Sequence, residues 1–144
     1  MGAFSSGVCT TCPINTYSIE DGSACAACPS NSISGEGSAN VTECQCIGGF
    51  TGQDGAACEA CAAGKYKQGR GDGGCLSCIG GKFSSVEGAN SSSVCVNCSV
   101  NTYSMANGSS CFACPSNSIS GEGSARVTEC QCIGGFTGQD GAAC

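Results

Sequence analysis

Cysteine returns along this chain in a fixed cadence, 17 times in 144 residues, and it opens and closes eight consecutive segments. The segments are 12–25, 28–44, 46–58, 61–75, 78–95, 98–111, 114–130 and 132–144, with one or two residues between neighbours. This cadence limits the fold more than any other feature. Ordering the backbone costs roughly 1–2 kcal/mol per residue. A chain with no Trp, three Tyr and five Phe cannot offset that from one shared apolar core. Cross-links must substitute, and a disulfide closing a loop of about 15 residues contributes roughly 3 kcal/mol. Cysteine at this density marks a disulfide scaffold made in an oxidising compartment, so we expect an extracellular or cell-surface protein.

The cadence is also a repeat. Residues 9–58 laid on 95–144 agree at 40 of 50 positions, and CQCIGGFTGQDGAAC stands at both 44–58 and 130–144. Between 28–58 and 114–144 the one difference is Asn40 against Arg126. The register extends back to MGAFSSGV at 1–8, which lies over EGANSSSV at 87–94. The chain therefore reads as an excerpt of a longer repetitive protein. Its parts are 1–11, the tail end of a preceding module; 12–58, the first copy; 61–95, two further modules; and 98–144, the second copy.

Each segment carries an apolar or aromatic residue four or five places after its opening cysteine: Tyr17, Ile33, Phe50, Tyr66, Phe83, Tyr103, Ile119 and Phe136. Each later carries an Asp-Gly, Glu-Gly or Asn-Gly pair, as at 36–37, 54–55 and 122–123. Such pairs favour tight turns, because Gly accepts positive φ and Asn or Asp tolerates it. Helical periodicity is missing. The predicted fold is a set of small disulfide-rich repeats, each a short irregular β-hairpin with its large side chain packed on its own disulfide. Units of this size stack only on their neighbours, so an elongated rod is expected.

Spacing alone leaves the cysteine connectivity open. If each segment closes on itself, the pairs are Cys12–Cys25, Cys28–Cys44, Cys46–Cys58, Cys61–Cys75, Cys78–Cys95, Cys98–Cys111, Cys114–Cys130 and Cys132–Cys144. A crossed scheme, with 12–28, 25–44, 61–78 and 75–95, uses the same cysteines. We favour the first. Either scheme leaves Cys9 over. By the period Cys9 matches Cys95, whose partner lies 17 residues upstream, so Cys9 is expected to be unpaired by truncation.

The run C-P-x-N-T-Y-S-x-x-x-G-x-x-C-x-x-C-P-x-N-S at 12–32, followed by C-x-C-x-x-G-F at 44–50, resembles the ephrin-receptor-like cysteine-rich repeat. It is also similar to the first disulfide module of tumour-necrosis-factor-receptor repeats, and the C-x-C-x-x-G-F-x-G tail resembles the end of an EGF-like domain. The resemblance implies tandem disulfide modules of the kind found in receptor ectodomains, secreted matrix proteins and mastigoneme-type fibres. This chain lacks the kinase, sushi or fibronectin-type segments that accompany such repeats in receptors.

Chemistry is scarce. With no His there is no Ser-His or Cys-His arrangement, so we expect no enzyme and no catalytic residue. C-x2-C-x12-C-x2-C at 9–28 has zinc-ribbon spacing, yet C-x-x-C runs on through the chain, so disulfides are expected and metal is not. Net charge of −6 argues against nucleic acid as a partner. No apolar run reaches the ~20 residues of a membrane span. Neither does MGAFSSGVC supply the basic and apolar regions of a signal peptide.

Four sequons begin at Asn40, Asn90, Asn97 and Asn107. Covalent glycans are thus expected, and no other cofactor. Arg70-Gly71-Asp72 is a candidate adhesion tripeptide in the 61–75 loop. Near-identical units at fixed spacing suit an object that must make the same contacts repeatedly. The expected function is a secreted, glycosylated structural protein, a self-associating repeat segment of an extracellular fibre. The alternative is a ligand-binding or adhesive receptor-like ectodomain.

Overall fold

The computed structural model describes residues 10–20 and 22–144. Residues 1–9, with the expectation for Cys9, and Asp21 lie outside the described residues. The chain divides into two compact units. One runs to Cys61 and includes Lys67–Cys75; the other comprises Ala62–Tyr66 and Leu76–Cys144.

The fold is a small disulfide-rich assembly of two-stranded antiparallel hairpins. In chain order β1 (Thr16–Ser18) pairs with β2 (Cys25–Ala27), β3 (Ser32–Ile33) with β4 (Gln45–Cys46), and β5 (Phe50–Thr51) with β6 (Glu59–Ala60). Then β7 (Lys65–Tyr66) pairs with β8 (Leu76–Ser77), β9 (Lys82–Phe83) with β10 (Val96–Asn97), β11 (Thr102–Tyr103) with β12 (Phe112–Ala113), and β13 (Ser118–Ile119) with β14 (Gln131–Cys132). The residues between segments are therefore not spacers. They form the second strand of each hairpin. Among the described residues helix is confined to three single 3-10 turns, Val41–Glu43, Ser92–Val94 and Val127–Glu129.

Disulfides join Cys12–Cys25, Cys28–Cys44, Cys46–Cys58, Cys61–Cys75, Cys78–Cys95, Cys98–Cys111, Cys114–Cys130 and Cys132–Cys144. Every segment thus closes on itself. Their Cα–Cα distances lie between 5.6 and 5.8 Å, the ordinary span of an unforced bridge.

Each module opens with the same turn. The residue four places after Pro13's predecessor, Thr16, sends its N–H back to Pro13 O, and Asn15 between them has φ 64°. Equivalent bonds join Ser32 to Pro29, Phe50 to Ile47, Lys65 to Ala62, Lys82 to Ile79, Thr102 to Ser99, Ser118 to Pro115 and Phe136 to Ile133. The third turn residue is left-handed in all eight: Asn15, Asn31, Gly49, Gly64, Gly81, Asn101, Asn117 and Gly135. Asn and Gly are the residues that reach this region at least cost. The sequence reading overlooked this position, three residues after each opening cysteine. Its strict restriction to Asn or Gly was the available signal.

The interior differs from the expected one. Tyr17, Ile33, Phe50, Tyr66, Phe83 and Tyr103 are half-buried, and Ile119 and Phe136 are exposed. The buried side chains are instead cysteines, such as Cys12, Cys44, Cys46 and Cys98, and serines, such as Ser18, Ser34, Ser84 and Ser104. The reason is geometric: a hairpin two or three residues long has no second layer to cover a ring. Cys and Ser are small enough to be enclosed by adjacent backbone. The hydroxyls are bonded, as buried polar groups must be: Ser34 Oγ donates to Thr16 O at 3.0 Å and Ser38 Oγ to Gly35 O at 2.7 Å.

Candidate functional site

Neighbouring modules join through main-chain atoms at repeat-equivalent positions. In the first copy Gly37 N donates to Cys12 O at 2.8 Å, Asn15 N to Ser34 O at 2.9 Å and Ser18 N to Ser38 O at 2.9 Å. In the second copy Gly123 N donates to Cys98 O at 2.8 Å, Asn101 N to Ser120 O at 2.9 Å and Ser104 N to Ser124 O at 3.1 Å. Between segments 46–58 and 61–75 the first two recur, with Gly71 N on Cys46 O and Gly49 N on Lys67 O, both 2.9 Å. So the glycines of the Glu-Gly pairs, Gly37 and Gly123, and Gly71 in place of one, are docking donors as well as turn residues. Asn at the left-handed position adds a bond that Gly cannot: Asn15 Oδ1 accepts from Ser34 N at 3.3 Å, and Asn101 Oδ1 from Ser120 N at 3.2 Å.

Segment 61–75 departs from this pattern at one residue. Six places after the opening cysteine, segments 28–44 and 114–130 place a serine, Ser34 and Ser120, whose hydroxyl donates to a carbonyl of the preceding module. Here that residue is Lys67, only 5% exposed. Its ammonium donates to the equivalent carbonyl, Phe50 O, at 2.7 Å and reaches on to Gly71 O. Thr51 Oγ1 donates to Gly73 O at 3.2 Å. The backbone of the Arg70-Gly71-Asp72 loop is thereby fixed at Gly71 N, Gly71 O and Gly73 O, while Arg70 and Asp72 are exposed. Lys67 was not singled out from the sequence. Its position in the repeat register, where Ser18, Ser34, Ser84 and Ser104 stand, was the clue.

The four sequon asparagines are all exposed but differ in surroundings. Asn40 precedes the turn Val41–Glu43. Its Oδ1 accepts from Thr42 N at 3.3 Å and from Thr42 Oγ1 at 3.2 Å. The Glu43 carboxylate closes the same turn, accepting from Ala39 N at 2.7 Å and Asn40 N at 3.1 Å. Asn90 lies just before Ser91, whose hydroxyl caps the next 3-10 turn. Asn97 lies in β10, paired with Lys82. Asn107 is left-handed at φ 68°, and its side-chain oxygen accepts from Ser77 Oγ. Among the described residues no group of three or more His, Cys, Asp or Glu is disposed to hold a metal ion. Nor is any helix there long and apolar enough to cross a membrane.

Compared with known proteins, the chain matches no family model and no curated protein sequence.

Proposed function

We propose that this chain is the repeat segment of a secreted, glycosylated structural protein that associates into an extracellular fibre. The observation that carries this reading is the joint between modules. Three of its bonds run between backbone N–H and C=O groups, and these recur in the two copies within 0.2 Å of one another. A joint made largely of main-chain atoms places few demands on other side chains. It can be repeated indefinitely while surface residues vary, as a fibre requires. Disulfides inside each module then keep a pulled or nicked segment from unravelling, and the oxidising compartment they need is extracellular.

Electron microscopy of the unreduced protein, secreted from a eukaryotic host, tests this. Filaments with a regular axial repeat are expected. Particles that stay dispersed at every concentration would sink the fibre reading.

A second reading, an adhesive ectodomain, is favoured by the clamped Arg70-Gly71-Asp72 loop, because a fixed backbone removes part of the ordering entropy of binding. Asp72→Glu lengthens the acidic arm by one methylene without touching the clamp. Cell adhesion that survives this change unaltered would dismiss the loop as a ligand.

A further inference from the structure

An open hollow of about 520 Å³ lies beside Asn40, lined by Tyr17, Ser18, Ile19, Glu20, Ala39, Asn40 and Val41. Its size falls within the roughly 300–1,000 Å³ of small-molecule sites, and its lining has their character: an aromatic ring and aliphatic side chains with a few polar groups. The Asn40 side chain is oriented at its oxygen only, through Thr42. Its Nδ2, the atom an N-linked sugar takes, has no hydrogen-bond partner among the described residues.

The second copy provides an internal comparison. Two replacements stand out there. Arg126 occupies the place of Asn40, which removes the sequon, and Phe112 occupies the place of Ala26. Ala26 is the cross-strand partner of Tyr17, and Phe112 is that of Tyr103. A methyl group therefore stands opposite Tyr17. Phe112 instead packs on Tyr103 with ring centroids 5.8 Å apart and planes at 39°. Both tyrosines are half-buried, but the copy that keeps the acceptor asparagine gives its tyrosine no aromatic neighbour across the hairpin. The copy that lost the acceptor supplies one, Phe112.

We propose that the hollow is a docking seat for the first N-acetylglucosamine of a glycan on Asn40, whose apolar C–H face lies on the Tyr17 ring. This rests on the reading of the chain as a secreted glycoprotein. A tethered sugar needs little intrinsic affinity, since a short linker holds it at an effective concentration of order millimolar. Burial of part of Tyr17 by the sugar replaces, in this copy, the contact that Phe112 makes in the other.

The experiment uses the full chain secreted from a eukaryotic host, with glycans trimmed enzymatically to a single N-acetylglucosamine. Glycopeptide mass spectrometry reads occupancy of Asn40. Proton NMR then reads contact between the acetamido group and the Tyr17 ring. Occupied Asn40 with a cross-peak to the ring, and an upfield-shifted acetamido methyl that returns to its free position in Tyr17→Leu, is the expected result. Occupied Asn40 with no cross-peak overturns the seat and leaves the glycoprotein reading standing. Empty Asn40 overturns both at this site. Arg126→Asn supplies a second check, because it restores the sequon with Val127 and Thr128 in a copy whose ring already packs on Phe112. Its sugar is expected to make no contact with Tyr103, and an equal contact there would overturn the argument from Phe112.

Discussion

Gly64 and Gly135 occupy the same turn of two modules, with φ of +84° and +88°, yet they differ in what lies beyond the missing side chain. A Cβ at Gly64 would stand 2.5 Å from Asn107 O, 2.8 Å from Asn107 C and 2.9 Å from Gly108 O, whereas a Cβ at Gly135 would meet nothing within 4 Å. Both Gly→Ala changes force a side chain into the left-handed region, at about 1–2 kcal/mol. Only Gly64→Ala also drives a methyl into main-chain atoms of another module, which cannot swing aside as a side chain can. Overpacking of that kind adds roughly 1–3 kcal/mol. The expected losses are thus about 1–2 kcal/mol at Gly135 and about 2–5 kcal/mol at Gly64. Hydrogen exchange suits the measurement, because tandem modules need not unfold as one. The reporters are the turn amides of Lys65, bonded to Ala62 O, and Phe136, bonded to Ile133 O, each at 3.1 Å. Every ~1.4 kcal/mol is a tenfold change in protection. Gly→Asn at the two positions sharpens the comparison, since Asn adopts positive φ readily but still carries a Cβ. It should be nearly silent at Gly135 and remain costly at Gly64. Equal losses at the two sites would refute the claim that close approach of modules, rather than backbone freedom, selects glycine at Gly64.

Lys67→Met should leave Phe50 O and Gly71 O without their donor, at about 1–3 kcal/mol, and hasten tryptic cleavage after Arg70; Lys67→Ser should recover part of the loss by restoring the serine bond seen at Ser34, and no difference between the two variants would count against the clamp. Cys28→Ala combined with Cys44→Ala removes one bridge and should lower stability by about 3 kcal/mol. Thiol titration of that double variant should find no cysteine freed by it, whereas free thiols at Cys12 and Cys25 would point to the crossed pairing. Glu43→Ala strips the acceptor from Ala39 N and Asn40 N and should cost about 1 kcal/mol, as other cap deletions do; thermal unfolding unchanged from the parent would show that the turn does not depend on its carboxylate.

Much of this molecule is written in its cysteine cadence. Segments such as 46–58, with glycine at four positions, are short and flexible enough to close on themselves as a turn, and the duplicated blocks fold into duplicated joints. The hairpin class followed because Asx-Gly pairs and short apolar runs have few other solutions. Three things were settled by tertiary packing. The linkers became strands, since the chain just past the closing cysteine returns alongside Phe50 and Tyr103 and pairs with them. The interior became sulfur and serine hydroxyl instead of aromatic rings, because two-stranded hairpins lack the depth to enclose a ring. Lys67 was buried in place of a serine, because the carbonyls it meets come from Phe50 and Gly71, residues that only the stacking of one module on the next brings together. Local sequence fixes turns through φ. What a side chain touches across a joint depends on atoms distant in the chain, and no pattern within a single segment encodes it.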